Sequence, residues 1–103
     1  MPARAADDDR ALDPILHQAV RTRVVAYLAT RGETTFTELK SALGITDGNL
    51  EAHMKKLTGA NYIRARRESG ESRPQTLYDL TAVGRRAFQR YVDALQALLR
   101  LGR

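Results

Sequence analysis

The chain has 103 residues, 43% of them apolar, and 17 lysines and arginines against 12 acidic residues give a net charge of +5. That is enough for one domain with its own core, and the absence of cysteine excludes disulfides, thiolate metal sites and redox sensing. No apolar run approaches the ~20 residues of a membrane span, and the first 13 residues lack the apolar centre of a signal peptide, so a cytoplasmic protein with no membrane partner is expected.

Residues 1–12 read as a flexible tail tipped by Asp7, Asp8 and Asp9, ahead of a folded domain over 13–103. Four of the acidic residues lie in the first 13 positions, so the folded body is more basic than the net charge implies. A basic body suits a polyanionic partner. The first helix is expected to open at Asp13-Pro14, an N-cap followed by a residue whose φ is already set, and to run to Gly32. Ile15, Leu16, Ala19, Val20, Val24, Tyr27 and Leu28 give it helical spacing.

Glu33 to Phe36 leaves room for one rung of β-structure. Thr35 followed by Glu38 has the capping-box spacing and starts a second helix, with Phe36, Leu39 and Leu43 on its inner face. Gly44 suits a left-handed exit, Ile45 plugs the turn, and Thr46 or Asp47 caps a third helix that ends at Gly59. Leu50, Met54 and Leu57 form the buried stripe of that helix. Gly48, Asn49, Ala52, Lys55 and Lys56 then face outward, Glu51 stands at the border, and His53 packs at the flank. Two strands follow, Tyr62 to Arg67 and Gln75 to Leu80, around a polar turn with Gly70 and Pro74. Thr81 caps a last helix whose stripe of Val83, Phe88, Tyr91, Val92, Leu95, Leu98 and Leu99 exceeds what a small core needs.

This order is mainly α with a small β-hairpin: a winged helix-turn-helix with an extended C-terminal dimerisation helix. The segments FTELKSALGITDGNLEAHMKKLTGANYI and LYDLTAVGRRAF, with LDPILHQAVRTRVVAYLA before them, resemble the small stand-alone winged-helix regulators related to the MarR and ArsR groups. The resemblance spans residues 12–99 and implies a dimeric regulator of transcription, usually a repressor, bound to double-stranded DNA. It places a recognition helix on residues 46–58, with Asp47, Gly48, Asn49, Ala52, Lys55 and Lys56 towards the groove.

The residues themselves agree on most of these positions. Asn49 has the donor and acceptor to pair with an adenine edge, whereas Lys55, Lys56 and the Thr46 hydroxyl suit phosphates. For Asp47 a capping role at the helix N-terminus is the plainer reading, and for Glu51 a pairing with Lys55. In the wing over 64–75, Arg64 and Arg66 share a strand face, Arg67 and Arg73 bracket the turn, and Gln75 begins the return strand. Arg73 is the residue expected to enter the minor groove.

A homodimer interface is expected from Ile15, Leu16, Phe88, Tyr91, Leu95, Leu98 and Leu99, because a wide apolar stripe calls for a partner. An inverted-repeat target would follow from two-fold symmetry. An enzyme is not expected: His17 and His53 sit on different helices without a carboxylate pairing, and no phosphate loop or metal-ligand spacing occurs. No cofactor is implied. A pocket between the first and last helices, near Tyr27 and Tyr91, would suit an apolar small-molecule effector, but nothing in the sequence demands one and core packing is the plainer reading of both tyrosines. The alternatives are a winged-helix module for protein interaction and a non-specific architectural DNA binder.

Overall fold

A computed structural model describes residues 12–69 and 74–101. The elements are α1 (Ala19–Arg31), β1 (Thr34–Thr35), α2 (Phe36–Leu43), α3 (Asp47–Gly59), β2 (Ile63–Glu68), β3 (Gln75–Leu80) and α4 (Ala82–Leu101). The strands form an antiparallel sheet in the order β1-β3-β2, with Thr34 opposite Tyr78 and Ile63 opposite Leu80. This is the winged-helix arrangement expected from the order of elements. The acidic tail with Asp7 to Asp9, and Arg73 in the wing, lie outside the described residues.

The local signals explain most boundaries. The Thr35 hydroxyl accepts from the Glu38 amide at 3.0 Å to start α2, and Gly44 ends it at φ 67°. The Thr46 hydroxyl accepts from the Asn49 amide at 3.2 Å to start α3. The Thr81 hydroxyl does the same for the Gly84 amide at 2.9 Å at the head of α4. Only half of the expected capping box exists, because the Glu38 carboxylate accepts from the Tyr27 hydroxyl at 2.6 Å instead of turning back on Thr35. The left-handed residue after α3 is Asn61 at φ 65°, whereas Gly59 is its last helical residue.

The first helix begins five residues later than expected, at Ala19 instead of Pro14. Asp13 does cap, its Oδ1 accepting from the amides of Ile15 at 2.8 Å and Leu16 at 3.4 Å, but only a single turn forms. Gln18 then adopts an extended backbone and caps α1 itself, its side chain accepting from the Arg21 amide at 2.8 Å. The break drives Leu16 fully inward, at 0% exposure. Two further bonds hold this N-terminal turn: the Tyr62 hydroxyl donates to Asp13 Oδ2 at 2.5 Å, and His17 Nδ1 lies 3.0 Å from the Tyr91 hydroxyl.

The core gathers Leu16 with Val24, Val25 and Leu28 of α1, Leu39 and Leu43 of α2, and Leu50, Met54 and Leu57 of α3. Ile63, Leu80, Ala87 and Tyr91 close it from the sheet and α4. Burying this many aliphatic side chains, at about 1.5–3 kcal/mol each before entropy is counted, is what holds α3 rigid from below. Among the described residues no helix is long and apolar enough to cross a membrane, and no group of His, Asp or Glu side chains is placed to hold a metal.

Candidate nucleic-acid interface

With Leu50, Met54 and Leu57 committed to the core, the opposite side of α3 faces solvent. Thr46, Asp47, Gly48, Asn49, Ala52, Lys55 and Lys56 are all exposed, as expected. At 100° per residue these positions fall into three rows. Gly48, Ala52 and Lys55 form the crest. Asn49, His53 and Lys56 line one flank, and Asp47, Glu51 and Thr58 the other.

The two flanks meet different neighbours. His53 Nδ1 is 3.0 Å from Arg21 Nη1, so the amide and basic flank turns towards α1. Asp47 pairs with Lys40 of α2 at 2.8 Å. Helical phase sets Glu51 on the same flank as Asp47, and burial followed by the charge of Glu51 raises the hydroxyl pKa of Tyr78. Both carboxylates of α3 therefore lie away from its donor row. Asp47 is neutralised by Lys40, while the Thr46 side chain caps the helix. The described ion pairs do not include one between Glu51 and Lys55.

The wing is less freely basic than its sequence. Residue pairs across β2 and β3 put Arg64 opposite Asp79 and Arg66 opposite Leu77. Alternation sets these two arginines on the sheet face away from Ile63 and Leu80. There Arg64 lies 3.4 Å from Asp79, and Arg66 donates twice to Glu33 at 2.7 and 3.0 Å. Hydrogen bonding to Arg66 holds the Glu33 carboxyl below the usual carboxylate range and raises the Arg66 guanidinium. Arg67, opposite Thr76, has the other parity and shares the side of the sheet that packs on the helices. Gln75 is exposed at the start of β3.

A cleft of about 820 Å³ opens between the head of α2 and the start of β3. Thr35, Thr37, Ser41, Gln75 and Thr76 line it with hydroxyl and amide groups, beside Tyr27, Phe36, Glu38, Ala42 and Pro74. Such neutral donors position a sugar–phosphate backbone without reading sequence. Sequence alone misses Thr37 and Ser41: they are an exposed i, i+4 polar pair on α2, and nothing in that spacing ties them to the wing. The cleft lined by Tyr27 does not include Tyr91, which is 6% exposed and bonded to His17.

The expected dimer surface needs a correction at two positions. Leu16 and Tyr91 are spent on the chain's own core: the broken N-terminal turn drives Leu16 inward and brings His17 against Tyr91 of α4. Ile15, Phe88 and Leu95 are half-buried, whereas Leu98 and Leu99 are exposed at 36% and 66%.

A family model described as a winged helix DNA-binding domain matches residues 20–99. An uncharacterized protein of Methanocaldococcus jannaschii is 35% identical over 76% of this chain and 85% of its own. A transcriptional regulator homologue from Pyrococcus horikoshii has a structure similar at TM-score 0.78 and 26% identity, covering 84% of this chain and 85% of that one. Bacillus subtilis PadR, solved with operator DNA, matches in fold at TM-score 0.64 and 19% identity, over 73% of this chain and 48% of its own. MarR-family regulators share the fold as well. The chain belongs to the winged-helix DNA-binding domain family.

Proposed function

We propose that the protein is a sequence-specific regulator of transcription, a homodimeric repressor that acts in the cytoplasm on an inverted repeat in double-stranded DNA. One observation carries this reading. The outer side of α3, with Gly48, Asn49, Ala52, Lys55 and Lys56, has no part in the core and stands exposed, in a fold that also carries an exposed hairpin bearing Arg67. Asn49 reads a base edge, Ala52 and Gly48 permit close approach, and Lys55, Lys56 and Arg67 meet phosphates. Arg64 and Arg66, already paired on the far face of the sheet, contribute less. Arg73 and Gln75 act at the wing tip.

Dimerisation follows from the end of α4, where Leu98 and Leu99 extend the apolar stripe beyond the core, while Ile15, Phe88 and Leu95 are half-buried against it. Two-fold pairing sets two recognition helices on successive major grooves, about 34 Å apart. PadR, of the same fold, engages operator DNA, which agrees with this use of the shape.

The test is fluorescence polarisation at ~150 mM salt with genomic fragments against random duplex, alongside light scattering. Selective binding by a dimer is expected. Equal affinity for all duplexes would instead mark an architectural binder, and no binding a protein-interaction module.

A further inference from the structure

Arg21 lies on α1, outside the helix-turn-helix, yet its guanidinium is folded onto the recognition helix. Its Nε donates to the Ile15 carbonyl at 2.6 Å, and Nη1 lies 3.0 Å from Nδ1 of His53. A guanidinium only donates, so Nδ1 of His53 accepts, and the neutral ring carries its proton on Nε2. The ring is neutral at pH 7 because burial, and after it the Arg21 charge, holds it below its ordinary 6.5.

A cation set against a neutral imidazole gains little from Coulomb attraction, so this contact is a weak device for stability alone. Its geometric effect is larger. Two of the five guanidinium N–H groups are used, which leaves three, and Nε2–H of His53 remains as well. His53 follows Asn49 by four residues and precedes Lys56 by three, so the three side chains form one row on the α1 flank of α3. The acidic residues of α3, Asp47 and Glu51, are on the opposite flank. Donors of this kind at the edge of a groove-facing helix suit a tetrahedral anion, and charged or N–H donors such as these position the protein on phosphates.

We propose that Arg21, His53 and Lys56 form a seat for a DNA backbone phosphate on the α1 side of the recognition helix, with Arg21 supplying charge and fixing the His53 ring so that Nε2–H donates. The inference rests on the DNA-binding reading above. Arg21 is then a binding residue contributed by an element outside the helix-turn-helix, and it fixes how α3 sits across the groove.

The experiment is polarisation of the full chain with a genomic duplex between ~50 and ~300 mM salt, for wild type, Arg21→Gln, Lys56→Gln and His53→Ala. Arg21→Gln and Lys56→Gln should each flatten the slope of log K against log salt by about 0.9. Arg21→Gln should also weaken binding about tenfold. His53→Ala should weaken binding about threefold and leave the slope unchanged, since a neutral donor releases no counterion. Wild-type affinity and slope in Arg21→Gln would overturn the seat, as would a slope change of a full charge in His53→Ala. Should Arg21→Gln lose its cooperative melt, His53→Ala decides alone, because it leaves the Arg21 bond to Ile15 in place. Failure of the wild type to bind any duplex would instead remove the DNA-binding reading itself.

Discussion

The two halves of α4 continue one apolar stripe and meet different surroundings. In the first half Gly84, Ala87 and Tyr91 are buried against the sheet, the N-terminal turn and α1. In the second half Leu98, Leu99 and Leu101 are exposed at 36%, 66% and 71%. Periodicity tells which side of a helix is apolar and nothing about what covers it. The first half is structural within a single chain; the second leaves apolar surface uncovered, where the proposed dimer would form.

The sharpest way to break that division is at Gly84. A Cβ there would stand 2.0 Å from the Tyr62 carbonyl oxygen, with the Tyr62 backbone carbon and Cα within 3 Å. Backbone cannot swing aside, so α4 must move off the sheet. Gly84→Ala is expected to lose about 3 kcal/mol or more, lowering Tm by more than ~10 °C in a thermal melt followed by circular dichroism. A melt within a degree of wild type would show that the first half of α4 is not closely packed.

The next largest effect is alkaline. Burial, followed by the hydrogen bond to Asp13, raises the Tyr62 hydroxyl to about 12, from an ordinary 10.0. The unfolded chain therefore gives up this proton at lower pH than the folded one. The stability it contributes is present below pH ~10 and lost as pH rises towards ~12, on the order of 2 kcal/mol. Tyr62→Phe removes the linkage, so wild type should lose more stability than the variant between pH 9 and pH 11 in denaturant titrations. Parallel losses would mean that Asp13 does not tie the N-terminal turn to the base of the sheet. A smaller loss is expected from Tyr91→Phe, which removes the bond to His17 while keeping the ring: about 1 kcal/mol at pH 7, by the same titration.

These sites also mark what the sequence could and could not tell. The caps at Thr35, Thr46 and Thr81, the turn at Gly44 and the stripe of α3 depend on neighbours within a few residues, and all were legible. Gly84 was not, since its role is set by the Tyr62 carbonyl some 20 residues away in sequence. The late start of α1 was hidden because Asp13 is a sound cap, and only the competing Gln18 cap ends its turn. In the candidate site the exposed face of α3 was readable from its stripe. The pairing of Arg66 with Glu33 and the reach of Arg21 to His53 were not, because each crosses between elements more than 30 residues apart.

The smallest expected effect on folding belongs to the end of α4, and it is the most informative about function. Leu98→Ser with Leu99→Ser removes apolar surface that the chain itself leaves in water. In dilute solution, where a dimer would dissociate, the double variant should melt within about 0.5 kcal/mol of wild type. At micromolar concentration the proposed dimer makes Tm depend on protein concentration, since association stabilises only the folded form. Wild type should therefore gain Tm on concentration, and the variant should not. Light scattering should give twice the chain mass for wild type and a single chain mass for the variant. A variant that unfolds when dilute would mean that Leu98 and Leu99 serve the monomer core after all. One that remains dimeric would move the interface to Ile15 of the N-terminal turn and Phe88 of α4, both half-buried by their own chain.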